Sequence, residues 1–260
     1  MKVLKASKNG TSYKVQMDDD NNYIFHDTVA YTFGLTKKNN DITKDKFELA
    51  LKTNLPYEAF NKAVKYLNKP RTKEEVKTYL KKYYDSSIVI ETIEKLEKLK
   101  CIDDLKYAQL AVDVFRRKGF GKYKIIDKLK ENKICQEYIE IALEDYSQED
   151  EISNCEKVLL KYLPSLKNES KMSLYKKVSN YLLQKGFSNV IITITIENNR
   201  EKLDNIIDED EILLKSYKKI LKLKKKTDDE KKFKNKVIRN LSSKGFPLYK
   251  ILKLLEVDYD

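Results

Sequence analysis

The chain has one histidine, His26, no tryptophan, four prolines, six glycines and three cysteines among 260 residues. A single histidine excludes His-pair metal sites and leaves a histidine-based catalytic triad without support. Scarce glycine and proline argue against an all-β sandwich or barrel, which needs turn residues at short intervals. Cys101, Cys135 and Cys155 form no C-x-x-C pair and are odd in number. They read as reduced, part-buried residues of a cytosolic protein. No apolar run approaches the roughly 18 residues of a membrane span, and no targeting segment is recognised. A soluble cytoplasmic chain without membrane contact is expected. Neither G-x-x-x-x-G-K-[ST] nor G-x-G-x-x-G occurs, so no nucleotide cradle, cofactor or metal is expected. Arg117-Lys118-Gly119-Phe120-Gly121-Lys122 is too short for a phosphate loop and reads as a helix–helix connection with basic flanks.

What is present is charge and helical period. Charged residues make up 36% of the chain, above the usual share of about a quarter. That excess suits an extended shape with much surface per residue. The formal net charge is +12, and a basic surface draws polyanions. Only Arg71, Arg116, Arg117, Arg200 and Arg239 are arginines, so lysine carries most of it.

Residues 1–26 read as strands. Val3–Ala6, Ser12–Met17 and Tyr23–Phe25 are short, branched or aromatic, with Asn9-Gly10 as a hairpin signal and Asp18–Asn22 as a second turn. Asp18–Asp20 lacks the glycine and distant glutamate of a calcium loop. A short helix over Thr28–Phe33, ended by Gly34, and a helix over Thr43–Leu51 follow, with a boundary near residue 54.

Beyond that point apolar residues recur at helical spacing. Tyr57, Phe60, Ala63, Val64 and Leu67 form one face, and Pro70 stops that helix. Thr72 and Glu75 make a T-x-x-E capping box for the next helix, and Ser86 or Ser87 is the expected cap of a third. Asp103 is expected to cap the following helix, and Asp103-Asp104 reads as capping rather than metal binding. The three-helix pattern recurs. Lys-Leu-Lys-Glu-Asn-Lys-Ile at 128–134, Tyr-Leu-Leu-Gln-Lys-Gly-Phe at 181–187 and Asn-Leu-Ser-Ser-Lys-Gly-Phe at 240–246 align, and 78–84 matches with one residue fewer. Gly186 and Gly245 suit a left-handed helix end, and Phe187 and Phe246 would pin the next helix to the preceding one. The expected fold is mostly α: tandem three-helix repeats forming an elongated curved array, preceded by a small β-rich N-terminal subdomain. The expected divisions are 1–54 for that subdomain, then repeats over 55–101, 102–147, 148–203 and 204–260.

Two basic clusters are the candidate contact surfaces. Arg116, Arg117, Lys118, Lys122 and Lys124 crowd one joint, and Lys218, Lys219, Lys222 and Lys224–Lys226, with Lys225 among them, crowd the end of a later helix. Cations on phosphates release counterions, and nearby Tyr123, Tyr217 and Phe233 are candidates for base stacking. The competing reading is that such aromatics are core and such charge runs are solvated faces.

From Pro70 to Phe187 the chain resembles the RecX family of recombination regulators. The carrying residues are Arg71-Thr72-Lys73-Glu74-Glu75-Val76 with Tyr79-Leu80, then Ile102-Asp103-Asp104 with Tyr107-Ala108, then Lys118-Gly119 and Ile125 to Leu129, and finally Tyr181-Leu182 with Lys185-Gly186-Phe187-Ser188. The N-terminal strands and the fourth repeat resemble the longer members of Gram-positive-type bacteria. The chain departs from the pattern at Asn132-Lys133, where glycine is frequent, and at its shortened first joint. The resemblance implies a non-enzymatic modulator of the RecA recombinase. It would bind the RecA filament on single-stranded DNA and limit its ATPase, strand exchange and extension. Direct contact with single- or double-stranded DNA and action as a monomer are part of that expectation. Two readings compete with it: a basic DNA- or RNA-binding protein acting without RecA, and an enzyme relying on carboxylates and lysines alone.

Overall fold

The computed structural model describes residues 1–166, 169–222 and 229–257. The chain divides into two compact units, one of Met1–Ala108 with Glu131–Tyr138 and one of Gln109–Lys130 with residues 139–260. It is mostly helical, with three strands at its start, as the residue pattern implied.

In the first unit, β1 (Val3–Asn9), β2 (Ser12–Met17) and β3 (Asn22–His26) form an antiparallel sheet in chain order. Asn9 pairs with Ser12 across a two-residue turn, and Gly10 there has φ +61°. One face is apolar: Val3, Val15, Met17 and Phe25 pack with Phe33, Leu35 and Ile42. Helix α1 (Asp27–Thr32) follows, with Gly34 left-handed just after it.

Helix α2 (Lys44–Tyr66) is continuous, so the boundary expected near residue 54 falls inside one helix. Pro56 removes a single backbone donor, and the surrounding burial outweighs that loss. Phe47 and Ala50 enter the core beneath the sheet, whereas Ala59 and Ala63 enter the next core. Buried Asn54 joins the two regions. Its Oδ1 accepts from the His26 N–H, and its Nδ2 donates to the Ile24 carbonyl and Glu58 Oε1, each at 2.8 Å.

Helix α3 (Lys73–Leu80) has the expected Thr72–Glu75 capping box. Helix α4 (Ser86–Lys98) is capped by Asp85, not by Ser86 or Ser87, and its cap makes no side-chain hydrogen bond. Both serines already lie within the first turn. Helix α5 (Asp104–Arg117) is preceded by Asp103, whose Oδ1 accepts from the Lys106 N–H at 2.9 Å.

Helices α6 (Lys122–Glu131) and α7 (Gln136–Leu143) complete the second repeat. The third contains α8 (Gln148–Tyr162), α9 (Lys171–Gln184) and α10 (Asn189–Asn198), with a short α11 (Arg200–Asn205) that the residue period did not show. Six residues are too few to display a helical period. The fourth contains α12 (Glu209–Leu221), α13 (Glu230–Ser243) and α14 (Leu248–Val257). One core runs through the third and fourth repeats, from Cys155 and Leu159 through Leu182 and Phe187 to Leu241 and Phe246.

The aligned joints share a backbone solution. Lys133, Gly186 and Gly245 all have positive φ, at 62°, 87° and 86°. The N–H groups of Phe187 and Phe246 donate to the carbonyls of Leu182 and Leu241, closing the left-handed helix ends. Both rings are buried, 1% and 5% exposed. The first joint lacks a left-handed residue and tightens instead, with Tyr83 and Tyr84 both bonding to the Leu80 carbonyl.

Candidate functional site

The first basic cluster divides on inspection. Arg116 is held in place: its guanidinium lies 3.8 Å from Asp113, 3.5 Å from Asp150 and 4.4 Å from the Tyr146 ring centroid. Tyr146 is buried, which pushes its hydroxyl up to about 12, so it stays neutral beneath the cation. Lys122 is also committed. Its backbone N–H donates to Glu151 Oε1 at 2.9 Å, and its ammonium sits 5.5 Å from the same Tyr146 ring. Lys124 packs by its backbone against Gly186, where an added Cβ would collide with it.

Arg117 and Lys118 behave differently. Both are exposed at the end of α5, and among the described residues neither meets a carboxylate. They line a cleft of about 450 Å³ together with Lys157 and Lys161 of α8, Tyr181 of α9 and Lys185 just after it. Sequence reasoning missed Lys157, Lys161 and Lys185. The i, i+4 lysine pair on α8 was the available signal.

The second cluster lies on α12. Lys218, Lys219 and Lys222 are exposed and line a shallow cleft of about 360 Å³ with Lys215. Lys225, with Lys224 and Lys226, lies outside the described residues. The stacking candidates separate cleanly. Tyr217 and Phe233 are core residues, 3% and 2% exposed, whereas Tyr123 is 61% exposed. Its backbone N–H donates to the Gly186 carbonyl at 3.1 Å, beside Lys185 of the first cleft.

The motif residues build the joints. Arg71 pairs with Glu75 at 3.1 Å and stacks over Tyr66. Tyr107 accepts a hydrogen bond from Asn132 Nδ2, and burial raises its hydroxyl above the ordinary value. Asp104 does not share the capping role of Asp103: its Oδ1 accepts from the backbone N–H of Lys73 at 2.8 Å. Glu151 does the same for Lys122, and Glu209 for Lys171 at 3.0 Å. The three lysines are spaced 49 residues apart. Each opens the middle helix of its repeat, and each acid comes from the first helix of the following repeat. Free amides and the positive dipole end favour a carboxylate at such a place. Glu151 and Glu209 went unrecognised in the sequence, where they read as ordinary first-turn acids.

His26 is structural: it stacks on Tyr57 at 4.1 Å and its Nδ1 accepts from the Thr28 N–H. Cys155 is buried, which pushes its thiol up to about 11, but Cys101 and Cys135 are exposed rather than part-buried. Among the described residues no group of three or more His, Cys, Asp or Glu side chains is placed to hold a metal, and no helix is long and apolar enough to cross a membrane.

Fold and surface together define a tandem three-helix protein, led by a small sheet, whose joints consume acids and whose clefts gather cations. No family model matches the chain. It is 27% identical over 252 residues to regulatory protein RecX of Listeria monocytogenes serotype 4b, covering 95% of this chain and 93% of that protein. To regulatory protein RecX of Bacillus cytotoxicus it is 28% identical over 267 residues, covering 99% and 96%. A crystal structure of regulatory protein RecX shares its fold, with a TM-score of 0.63 at 22% identity over 75% of this chain and 98% of that one. The chain is thus similar over nearly its whole length to proteins named regulatory protein RecX, the family its ordered motifs resemble.

Proposed function

We propose that the chain modulates the RecA recombinase by binding the filament that RecA forms on single-stranded DNA, limiting ATP hydrolysis, strand exchange and extension without chemistry of its own. The observation that carries this reading is similarity to proteins named regulatory protein RecX over 95% or more of the chain. Tandem repeats suit a periodic partner. Once one repeat is seated, each further contact is intramolecular, so weak modules sum to useful affinity. Arg117 and Lys118 are the cations of the first cluster best placed to meet that partner, because Arg116 and Lys122 already hold internal contacts.

The test is single-stranded-DNA-dependent ATP hydrolysis by RecA, titrated with this protein at near-physiological salt. Inhibition at concentrations well below that of RecA is expected. Unchanged hydrolysis and strand exchange up to an excess of the protein would refute the reading.

A further inference from the structure

Gly121 and Ser170 hold the same place, 49 residues apart, just before the middle helices α6 and α9. They meet the joint of the following repeat in different ways. At α6 the two backbones touch. The Gly121 N–H donates to the Lys185 carbonyl at 2.9 Å and the Tyr123 N–H to the Gly186 carbonyl at 3.1 Å. A Cβ on Gly121 would fall 2.4 Å from the Gly186 oxygen. At α9 side chains stand between. The Ser170 hydroxyl donates to the Lys244 carbonyl at 2.7 Å, and Met172, in the place of Tyr123, reaches Gly245. The joint is held off by the length of a side chain, and a recess of about 600 Å³ opens between α9 and the end of α13.

The recess is apolar in part and basic in part. Phe246, 5% exposed, belongs to its lining, and Met172 stands in it 65% exposed. Lys176 and Lys244 are exposed, and among the described residues neither meets a carboxylate. The one lining acid, Glu169, is already held by Lys177 and the Ser173 hydroxyl. A bare gap between repeats would need none of this. The fold has a closed solution at α6, yet at α9 it sets a large flexible apolar side chain beside two free cations. Methionine adapts to whatever apolar group is offered, and lysine stems add apolar surface below their charge.

We propose that this recess is a docking pocket for a short acidic segment of a partner protein. One large apolar side chain enters beside Met172 and Phe246, and flanking carboxylates meet Lys176 and Lys244. A single buried anchor with charged neighbours is how a small contact becomes a specific one. A nucleic acid fits less well, because a base needs an open ring face and a backbone needs successive cations. The only ring in the lining is covered, and the free cations are two. The corresponding recess of the first unit, about 330 Å³, has the opposite character. Glu74 stands there in the place of Met172, with Glu75 and Glu131 beside it. It offers the same segment no anchor and meets it with like charge, so the preference belongs to the α9–α13 joint.

The test uses the full chain without RecA and a small set of labelled peptides. Each carries one Phe, Tyr, Trp, Leu or Met between pairs of Asp and Glu, and binding is read by fluorescence anisotropy. Saturable binding of at least one peptide is expected. Replacing its apolar residue by Ala, or its acids by Asn and Gln, should weaken it about tenfold each. Two changes in the protein should do the same: Lys176→Glu with Lys244→Glu, and Asn180→Trp, which fills the recess from its rim. All three side chains are exposed, and a melting curve for each variant keeps loss of fold in view. No binding by any peptide would refute the proposal. Equal binding of the Ala peptide would show that charge alone holds it and that the recess is not a pocket. Binding unchanged in both variants would put the site elsewhere. Displacement by oligothymidylate as effective as by unlabelled peptide would give the recess to phosphates instead. None of these outcomes depends on how the RecA assay turns out.

Discussion

The left-handed helix end at Lys133 and the acid-to-amide contact of Asp104 in the first unit reach, with different residues, the geometries that recur in the second. In the second unit Gly186 and Gly245 take the left-handed position, and buried Glu151 and Glu209, 5% and 6% exposed, receive the helix amides. Glu209 is further met by Lys250 at 2.9 Å, and the hydrogen bonds of Lys250 to Asp210 and Glu209 hold its ammonium well above the ordinary range. In the first unit a lysine, Lys133, is left-handed, and half-buried Asp104 receives the amide. Burial raises the Asp104 carboxyl above its ordinary value despite the Lys73 hydrogen bond. A joint geometry is thus preserved by whichever residues can bear its strain and desolvation: the first unit puts a lysine where the second has glycine, and the second buries its acids more deeply.

The largest contrast to test is packing. Phe187→Ala or Phe246→Ala should destabilise by about 3–5 kcal/mol, the range for a buried ring lost from a core. A denaturation midpoint unmoved by either change would show that the rings do not anchor their joints. Next come mirror substitutions at the left-handed site. Gly186→Ala should destabilise by about 2–4 kcal/mol, because positive φ disfavours a Cβ and the new atom meets the Lys124 backbone. Lys133→Gly should stabilise by up to about 1 kcal/mol by relieving the same strain. Urea midpoints moving in one direction for both would contradict the proposed equivalence.

The smallest effect concerns pH. A carboxyl whose folded pKa is raised opposes folding where it must ionise, above its folded pKa. That penalty fades as pH falls through the ordinary carboxylate value of about 4. Asp104→Asn keeps an oxygen for the Lys73 amide and removes the charge. It should gain a few tenths of a kcal/mol near pH 7, since the site is partly solvated, and nothing near pH 3. A stability difference independent of pH would mean the charge of Asp104 is irrelevant to the joint.

Most of the architecture was legible because local signals agreed. Asn9-Gly10, the Thr72–Glu75 box and the Lys-Gly-Phe turns each fix a backbone conformation within a few residues. The boundary expected near residue 54 falls within the continuous α2, and nothing local revealed that Asn54 would be buried against β3. The candidate surface was half legible. Charge counting found both clusters, but it could not separate Arg117 from Arg116, which differ only in what the fold sets beside them. Tyr123, Tyr217 and Phe233 looked alike as stacking candidates until burial distinguished them.

The acid-to-amide joints carry an evolutionary corollary. In the first three repeats the donor lies at the start of the middle helix, and the acceptor rides on the copy that follows. A duplicated repeat therefore arrives already equipped to dock with its parent. Lineages can add or lose whole units of this kind without inventing a new interface, while an insertion inside one unit would throw the lysine and the acid out of step.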